Sequence, residues 1–282
     1  MEISQLVNCK AELLKGFSRI YGLNGYQIPA DKDSIYKYMA LKNLENDIAK
    51  SRITFVSPET WEDSFETRYY KLKNYKAVLS FDEPMIFCMC LTEKQAANED
   101  AFWRRYAPQN DHLVKIHFNI EKFFKILDSF AVVHNAEVYV GEAIYTDKKQ
   151  IVGITPQNNQ IFFSHPFKLE NYLSLMSLKR GAFKYENEIR IFIVLNEVND
   201  DIIEYYEENK KREKLLFVKN SLKDNSHIGE VRVSPYPMCK AKVPRPDKVT
   251  TLERRKKNIS KRLQGYKVTC SRLFDSHPKC KL

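Results

Sequence analysis

Hydrophobic and polar positions along this chain change period every few residues, and the pattern predicts many short elements. Glu188–Leu195 is the strongest run: Ile189, Ile191, Phe192, Ile193 and Val194 crowd β-branched and aromatic side chains into eight positions, which predicts a strand. Leu113–Phe118 alternates as a strand, and so do Ser34–Met39 and Ile53–Ser57, the latter closed by Pro58. Met85–Leu91 is nearly all apolar, as a strand buried on both faces would be. Ala136–Tyr145, Lys214–Val218, Glu230–Val233 and Tyr266–Ser271 add further strands. Helical spacing marks Ala11–Ile20, Lys42–Ser51 (with Leu41, Leu44 and Ile48), Glu121–Phe130, Asn171–Leu178 and Thr251–Leu263. Ala101–Tyr106 reads as a helical turn ended by Pro108, Gly22–Gly25 as a loop, and Lys179-Arg180-Gly181 as a basic turn. Short strands mixed irregularly with helices predict an α+β fold. The expected organisation is a helical and loop extension over 1–33 and a single catalytic α+β domain over 34–275, with a basic C-terminal portion, 210–282.

Composition narrows the setting. No run approaches the roughly 18 uncharged apolar residues of a membrane helix, and the first 15 residues lack the apolar core of a signal peptide, so a cytoplasmic protein away from membranes is expected. Six cysteines without a C-x-x-C pair point to reduced thiols. Cys239, Cys270, His277 and Cys280 match no zinc-finger spacing, and no metal is expected. The net charge of +10 is unevenly placed: residues 210–282 hold 21 Lys and Arg against 6 Asp and Glu, while the rest of the chain is slightly acidic. That asymmetry suits an anionic partner, of which nucleic acid is the commonest, although a solvated basic surface would look the same.

The segment Tyr185–Arg190 is the one candidate reaction centre. On a strand, Glu186, Glu188 and Arg190 would share a face with neighbours roughly 7 Å apart. Two carboxylates that close require a raised proton affinity or a cation between them, and Arg190 is the local counter-charge. Such a pair suits a reaction at an anomeric carbon: one carboxylate stabilises an oxocarbenium ion while the other takes a proton from the attacking group. The same six residues also fit a solvent-facing Glu-x-Glu-x-Arg ladder. Both tryptophans lie in polar segments: Trp61 with Glu62, Asp63 and Glu66, and Trp103 with Arg104, Arg105 and Tyr106. Aromatics beside arginines can stack on a base and bind pyrophosphate, or anchor a short helix to a core. Tyr36 and Tyr38 share one face of their strand and Lys37 takes the other, within reach of a phosphate or a ribose hydroxyl.

In order, Tyr36-Lys37-Tyr38, Trp61–Glu66, Trp103-Arg104-Arg105-Tyr106, Lys179 with Tyr185–Arg190, Ser234-Pro235-Tyr236 and Ser271–Phe274 resemble a widespread uncharacterised bacterial family. The layout is similar to that of ADP-ribosyltransferases, with an early strand for the nicotinamide ribose, an N-x-x-L-x-x-I helix (here Asn43, Leu44 and Ile48) and a late strand bearing Glu-x-Glu. The resemblance implies an ADP-ribosyltransferase-like fold of split mixed and antiparallel sheets with flanking helices, and NAD as co-substrate. It casts Glu188 as the oxocarbenium-stabilising carboxylate and Glu186 as the acceptor-activating one. Lys37, standing where a histidine is usual, would bind NAD with Tyr38, Trp103, Arg104, Tyr106 and Tyr185; Trp61, Asp63 and Arg190 would meet the target. With the basic C-terminal quarter, it implies a toxin of a toxin–antitoxin or antiphage system that modifies a nucleic acid, RNA favoured over DNA, with an antitoxin protein as a candidate partner.

Two other readings use the same residues. A metal-dependent or metal-free nuclease would employ Glu186, Glu188 and Asp63 beside the basic tail. A non-enzymatic RNA-binding or interaction module would stack bases on Trp61, Trp103 and the tyrosines. The six histidines sit in no Ser-His or Cys-His context, and no glycine-rich phosphate loop is present.

Overall fold

The structure, a computed structural model, describes residues 20–22, 35–61, 63–70, 85–93, 99–106, 111–147, 169–197, 201–208, 211–220, 226–236 and 249–271. The elements, in chain order, are β1 (Ile20–Gly22), β2 (Ile35–Ala40), α1 (Leu41–Ala49), β3 (Arg52–Val56), α2 (Ser64–Tyr70), β4 (Met85–Glu93), α3 (Glu99–Arg105), β5 (Leu113–Phe118), α4 (Ile120–His134), β6 (Ala136–Glu142), β7 (Ile144–Thr146), α5 (Leu169–Met176), β8 (Leu178–Arg180), β9 (Glu188–Leu195), β10 (Ile203–Glu208), β11 (Lys211–Lys219), β12 (Ile228–Val233), α6 (Val249–Arg262) and β13 (Val268–Cys270). The result is a mixed sheet with flanking helices, compatible with the α+β expectation; β7–β8 and β12–β13 run parallel, the other registered pairs antiparallel. The expected helix Ala11–Ile20 lies outside the described residues save Ile20, and so do Glu62, Cys239, Arg272–Phe274, His277 and Cys280. Among the described residues no helix is long and apolar enough to cross a membrane.

The chain divides into two compact units, interleaved in sequence. The first takes residues 1–27, 54–90 and 127–218. Its strands follow the order β1-β6-β9-β4-β3-β11-β10, and β7 and β8 form a separate parallel pair. All eight residues of β9 are buried, as its run of branched side chains requires. Phe192 and Val194 pack with Ile86, Cys88 and Tyr139 against Tyr172, Leu173 and Met176 of α5. Strand alternation carries that same face of β9 onward from Val194 and Phe192 to Arg190 and Glu188, so an apolar floor turns abruptly ionic.

The second unit takes residues 28–53, 91–126 and 219–282. The end of β4 pairs with β2, and the order continues β2-β5-β12-β13. Val114, Ile116, Phe118, Val231 and Val233 are buried on one side of these strands. Trp103 of α3 has no exposed surface and packs with Leu113, Tyr236 and Tyr38.

Four local expectations give way. Ile20–Gly22 is a strand, paired to β6 through Tyr21 and Val140, where a helix end and a loop were expected. Leu178–Arg180 is a strand, not a turn: it pairs in register with Ile144–Thr146. Tyr185 and Glu186 do not lie on β9. They close a 3-10 helix, Gly181–Glu186, and Asn187 turns the chain through φ 39 and ψ 56, a left-handed conformation that asparagine tolerates. Helix α4 also runs past Phe130 to His134, where Asn135, at φ 46, supplies the left-handed stop.

Candidate functional site

The Trp61–Glu66 and Tyr185–Arg190 segments, far apart in sequence, meet in the first unit. Asp63 caps α2: its Oδ1 accepts the Phe65 N–H at 2.9 Å, satisfying one of the donors a helix start leaves over. The turn this sets places Glu66 three residues on, where its side chain points inward and its Oε2 accepts from Arg190 Nη2 at 2.7 Å. Asp63 Oδ2 meanwhile accepts Arg180 Nε at 2.9 Å. The Arg180 guanidinium lies 5.2 Å from the Phe65 ring and 4.8 Å from the Phe183 ring, and that of Arg190 lies 4.5 Å from the Trp61 ring.

Glu186 and Glu188 converge, but not by sharing a strand face. Their meeting point is the Lys179 ammonium: Nζ donates to Glu186 Oε2 at 2.7 Å and also to Glu188 Oε2, and lies 3.6 Å from Glu66 Oε1. Arg190, expected as the counter-charge of both, serves Glu188 through Nε at 2.6 Å and Glu66 through Nη2, and its Nη1 donates to the Met176 carbonyl at the end of α5. The Glu188 backbone N–H donates to the Tyr145 hydroxyl at 2.9 Å. Three carboxylates and two cations thus share one interior: Glu66, Lys179, Glu186, Glu188 and Arg190 are all buried. Such ions are tolerable only when each is paired, and this geometry pairs them.

Burial pushes the Glu188 carboxyl up, but Arg190 and then Lys179 outweigh it and hold the group at about 2. Burial pulls Lys179 down, and Glu188, Glu66 and Glu186 more than reverse that, so its pKa lies above the usual lysine range. The Tyr145 hydroxyl is pushed up, chiefly by burial. Both oxygens of Glu188 are engaged by cations, so its charge is fixed at any physiological pH.

The remaining candidates gather in the second unit. Tyr38 stacks on Phe102 at 4.9 Å and on Tyr106 at 6.1 Å, with Trp103 edge-on at 4.9 Å. Tyr106 keeps 39% of its surface exposed, Arg104 bonds Asp100 at 2.8 Å and lies 4.9 Å from the Tyr236 ring, and Trp103 is wholly interior. Lys37 stands opposite Ile116, on the face of β2 away from Tyr36 and Tyr38. Tyr185 is in the first unit, half-buried on the 3-10 helix. Among the described residues no cluster of three His, Cys, Asp or Glu side chains is arranged to hold a metal ion.

Sequence reasoning gave Lys179 no role of its own. The available signal was its place directly after Leu175, Met176 and Leu178, an apolar context in which a lysine is buried and therefore paired. Lys115, at 1% exposure, and its partner Glu99 were missed for a similar reason: the run Leu113–Phe118 read as a half-solvated strand.

A family model described as a protein of unknown function (DUF2971) matches residues 102–191, less than half of the chain. The matched span begins inside α3 and ends inside β9, so it holds Trp103, Lys115, Lys179, Glu186, Glu188 and Arg190. Searches of curated proteins and of solved structures found no match.

Proposed function

We propose that this chain is an ADP-ribosyltransferase that uses NAD to modify a nucleic acid, RNA before DNA, and acts as the toxin of a toxin–antitoxin or antiphage system. The observation that carries the reading is the convergence of Glu186 and Glu188 beside a Glu188 carboxylate held ionised. NAD supplies a ribose whose bond to a cationic nicotinamide breaks with the electron pair leaving on the neutral base. Glu188 offers permanent negative charge to the positive charge developing at that anomeric carbon, and Glu186 receives the proton of the attacking group. One exchange is required: ribose hydroxyls take over hydrogen bonds that Lys179 now makes. Within the first unit the residues fit NAD in kind: Tyr185, next to Glu186 in the chain, is half-buried, and the Arg180 side chain, 36% exposed, lies 4.8 Å from the Phe183 ring. RNA as acceptor is supported by α6, where Arg254, Lys257 and Lys261 are exposed at i, i+3 and i+7 and make no ion pair among the described residues.

The test is to incubate the protein with labelled NAD and total RNA, DNA and protein. Nicotinamide release with label on RNA is expected, and Glu188→Gln should lower the rate about 10²–10³-fold. Label on protein alone would remove the nucleic-acid half of the proposal.

The saturation of Glu188 by two cations favours a second reading, a non-enzymatic RNA-binding module in which the ion cluster is scaffold. That reading requires Glu186→Gln with Glu188→Gln to leave RNA binding and the cellular effect intact.

A further inference from the structure

The register of three strands in the second unit lays out another polar constellation. His117 of β5 lies between Tyr36 of β2 and Glu230 of β12, and Lys115 lies between Tyr38 and Arg232. Two cross-strand rows, Tyr36–His117–Glu230 and Tyr38–Lys115–Arg232, therefore occupy one sheet face, while the reverse face of β5 and β12 is apolar core.

Each side chain is held in place. Lys115 Nζ bonds Glu99 at 3.1 Å and sits 4.2 Å from the Tyr36 ring and 5.5 Å from the Tyr38 ring. His117 stacks on Tyr36 at 5.0 Å, and its Nε2 is buried with no hydrogen-bond partner among the described residues. Arg232 Nε bonds Glu230 at 2.9 Å, the Thr269 hydroxyl donates to the same carboxylate, and Lys267 Nζ lies 3.4 Å from it. Three cations, Lys115, Arg232 and Lys267, face two carboxylates, Glu99 and Glu230. Burial pulls His117 down, so it adds a neutral ring and the face keeps one positive charge in surplus. Glu99 covers the rows at Lys115. On the β12 and β13 side the Arg232 side chain is 24% exposed and that of Lys267 69%.

A surplus cation, a buried unpartnered imidazole nitrogen and a half-open guanidinium together fit one ligand chemistry. We propose that this face binds the phosphate or diphosphate group of a nucleotide, taken up by Arg232 and Lys267 on the β12 and β13 side with His117 Nε2 as a neutral donor. On binding, Arg232 exchanges the Glu230 carboxylate for phosphate oxygens, and Glu230 keeps its bond from Thr269. Lys115 lies behind and supplies charge without leaving Glu99. The phosphate site belongs to the second unit alone and does not rest on the proposed transfer reaction.

The experiment is calorimetric titration of the full chain with ADP and with pyrophosphate at low salt. Both should bind and compete with one another. Arg232→Met should weaken both tenfold or more, the size of one charge-assisted hydrogen bond, and Arg232→Lys less. Lys267→Met, at an exposed position that cannot endanger folding, should weaken both about threefold. Glu188→Gln should leave ADP binding unchanged. No binding to the wild type, or equal binding to all variants, overturns the site. ADP binding without any NAD consumption sinks the transfer reaction and leaves the site standing. NAD consumption without binding of ADP or pyrophosphate does the reverse.

Discussion

Two buried lysines, one in each unit, solve the same problem in opposite ways. Lys179 is surrounded by Glu66, Glu186 and Glu188, and its proton is held more tightly than in water. Lys115 has Glu99 alone with two tyrosine faces, and burial wins, so its proton is held less tightly. The cost of burying an ammonium is similar in the two places; the number of facing carboxylates differs. A threefold acidic partner set makes a saturated, rigid cluster. A single partner leaves a site whose balance a new charge can change.

The comparison breaks most readily at the lysines themselves. Lys179→Met removes the charge at nearly constant volume and leaves Arg190, paired to Glu66 and Glu188, as the cation for three buried carboxylates. A loss of about 3–5 kcal/mol from the first unit is expected. Lys115→Met strands only Glu99, whose side chain is 11% exposed and can turn to water, so about 1–2 kcal/mol is expected from the second. The two tryptophans report the units separately, Trp61 beside Arg190 and Trp103 in the interior around Tyr38. Urea unfolding followed by fluorescence, in variants keeping one tryptophan each, reads both losses. Equal losses would mean that carboxylate count does not set the difference.

Acid sharpens it next. Glu188 has its folded pKa depressed from 4.5 to about 2, so the stability it adds is fully present above the unfolded value and is lost as pH falls through the folded one. Lys179 of β8, Arg190 of its own strand, Cys90 of β4 and Tyr145 of β7 face it and do not titrate between pH 4.5 and 2, while Glu66 and Glu186 share its two cations. Through Glu188 the first unit should lose on the order of 3 kcal/mol across that window, and Glu188→Gln should flatten the slope by that share. Glu230, also near 2, gives the second unit a smaller fall because solvent screens it more. Fluorescence of the Trp61 unit against pH, with and without the substitution, is the measurement. A slope unchanged by Glu188→Gln would place the acid sensitivity elsewhere.

The same two lysines mark where the sequence was legible. Leu113–Phe118 and Glu188–Leu195 were bounded to the residue, because β-branched runs ended by loop residues have few alternatives. The Glu186–Glu188 pair was found and its geometry misjudged. Extended backbone was assumed at Glu186, ahead of the strand, since the left-handed turn at Asn187 depends on a backbone choice that asparagine permits without announcing. Lys179 was hidden because Lys-Arg-Gly reads locally as a turn, and only pairing with β7 makes it a strand. Lys115 was hidden because alternation shows which residues share a face but not that Glu99 and its helix cover it. The cap residue Asp63 and the inward Glu66 had the best local signal, an acidic residue at the helix start and another three positions on, yet the destination of Glu66, Arg190, lies 124 residues away.

The smallest expected effect lies on α6 of the second unit, where lysines and arginine are exposed instead of buried. Arg254, Lys257 and Lys261 touch no acid among the described residues, while the inward Arg255 donates to the carbonyls of Ser234 at 2.8 Å and Tyr236 at 2.5 Å. Replacing the outward three by glutamine breaks no buried interaction, so stability should stay within about 0.5 kcal/mol. If they meet phosphates, the slope of log affinity for single-stranded RNA against log salt should fall by about 2, near 0.7 for each phosphate no longer neutralised. Filter binding across a potassium chloride series reads the slope directly. An unchanged slope would detach this helix from RNA and leave the basic charge of the C-terminal quarter as solvation alone. A changed slope with intact unfolding would show that, in this unit, cations act by exposure where the first unit uses them by enclosure.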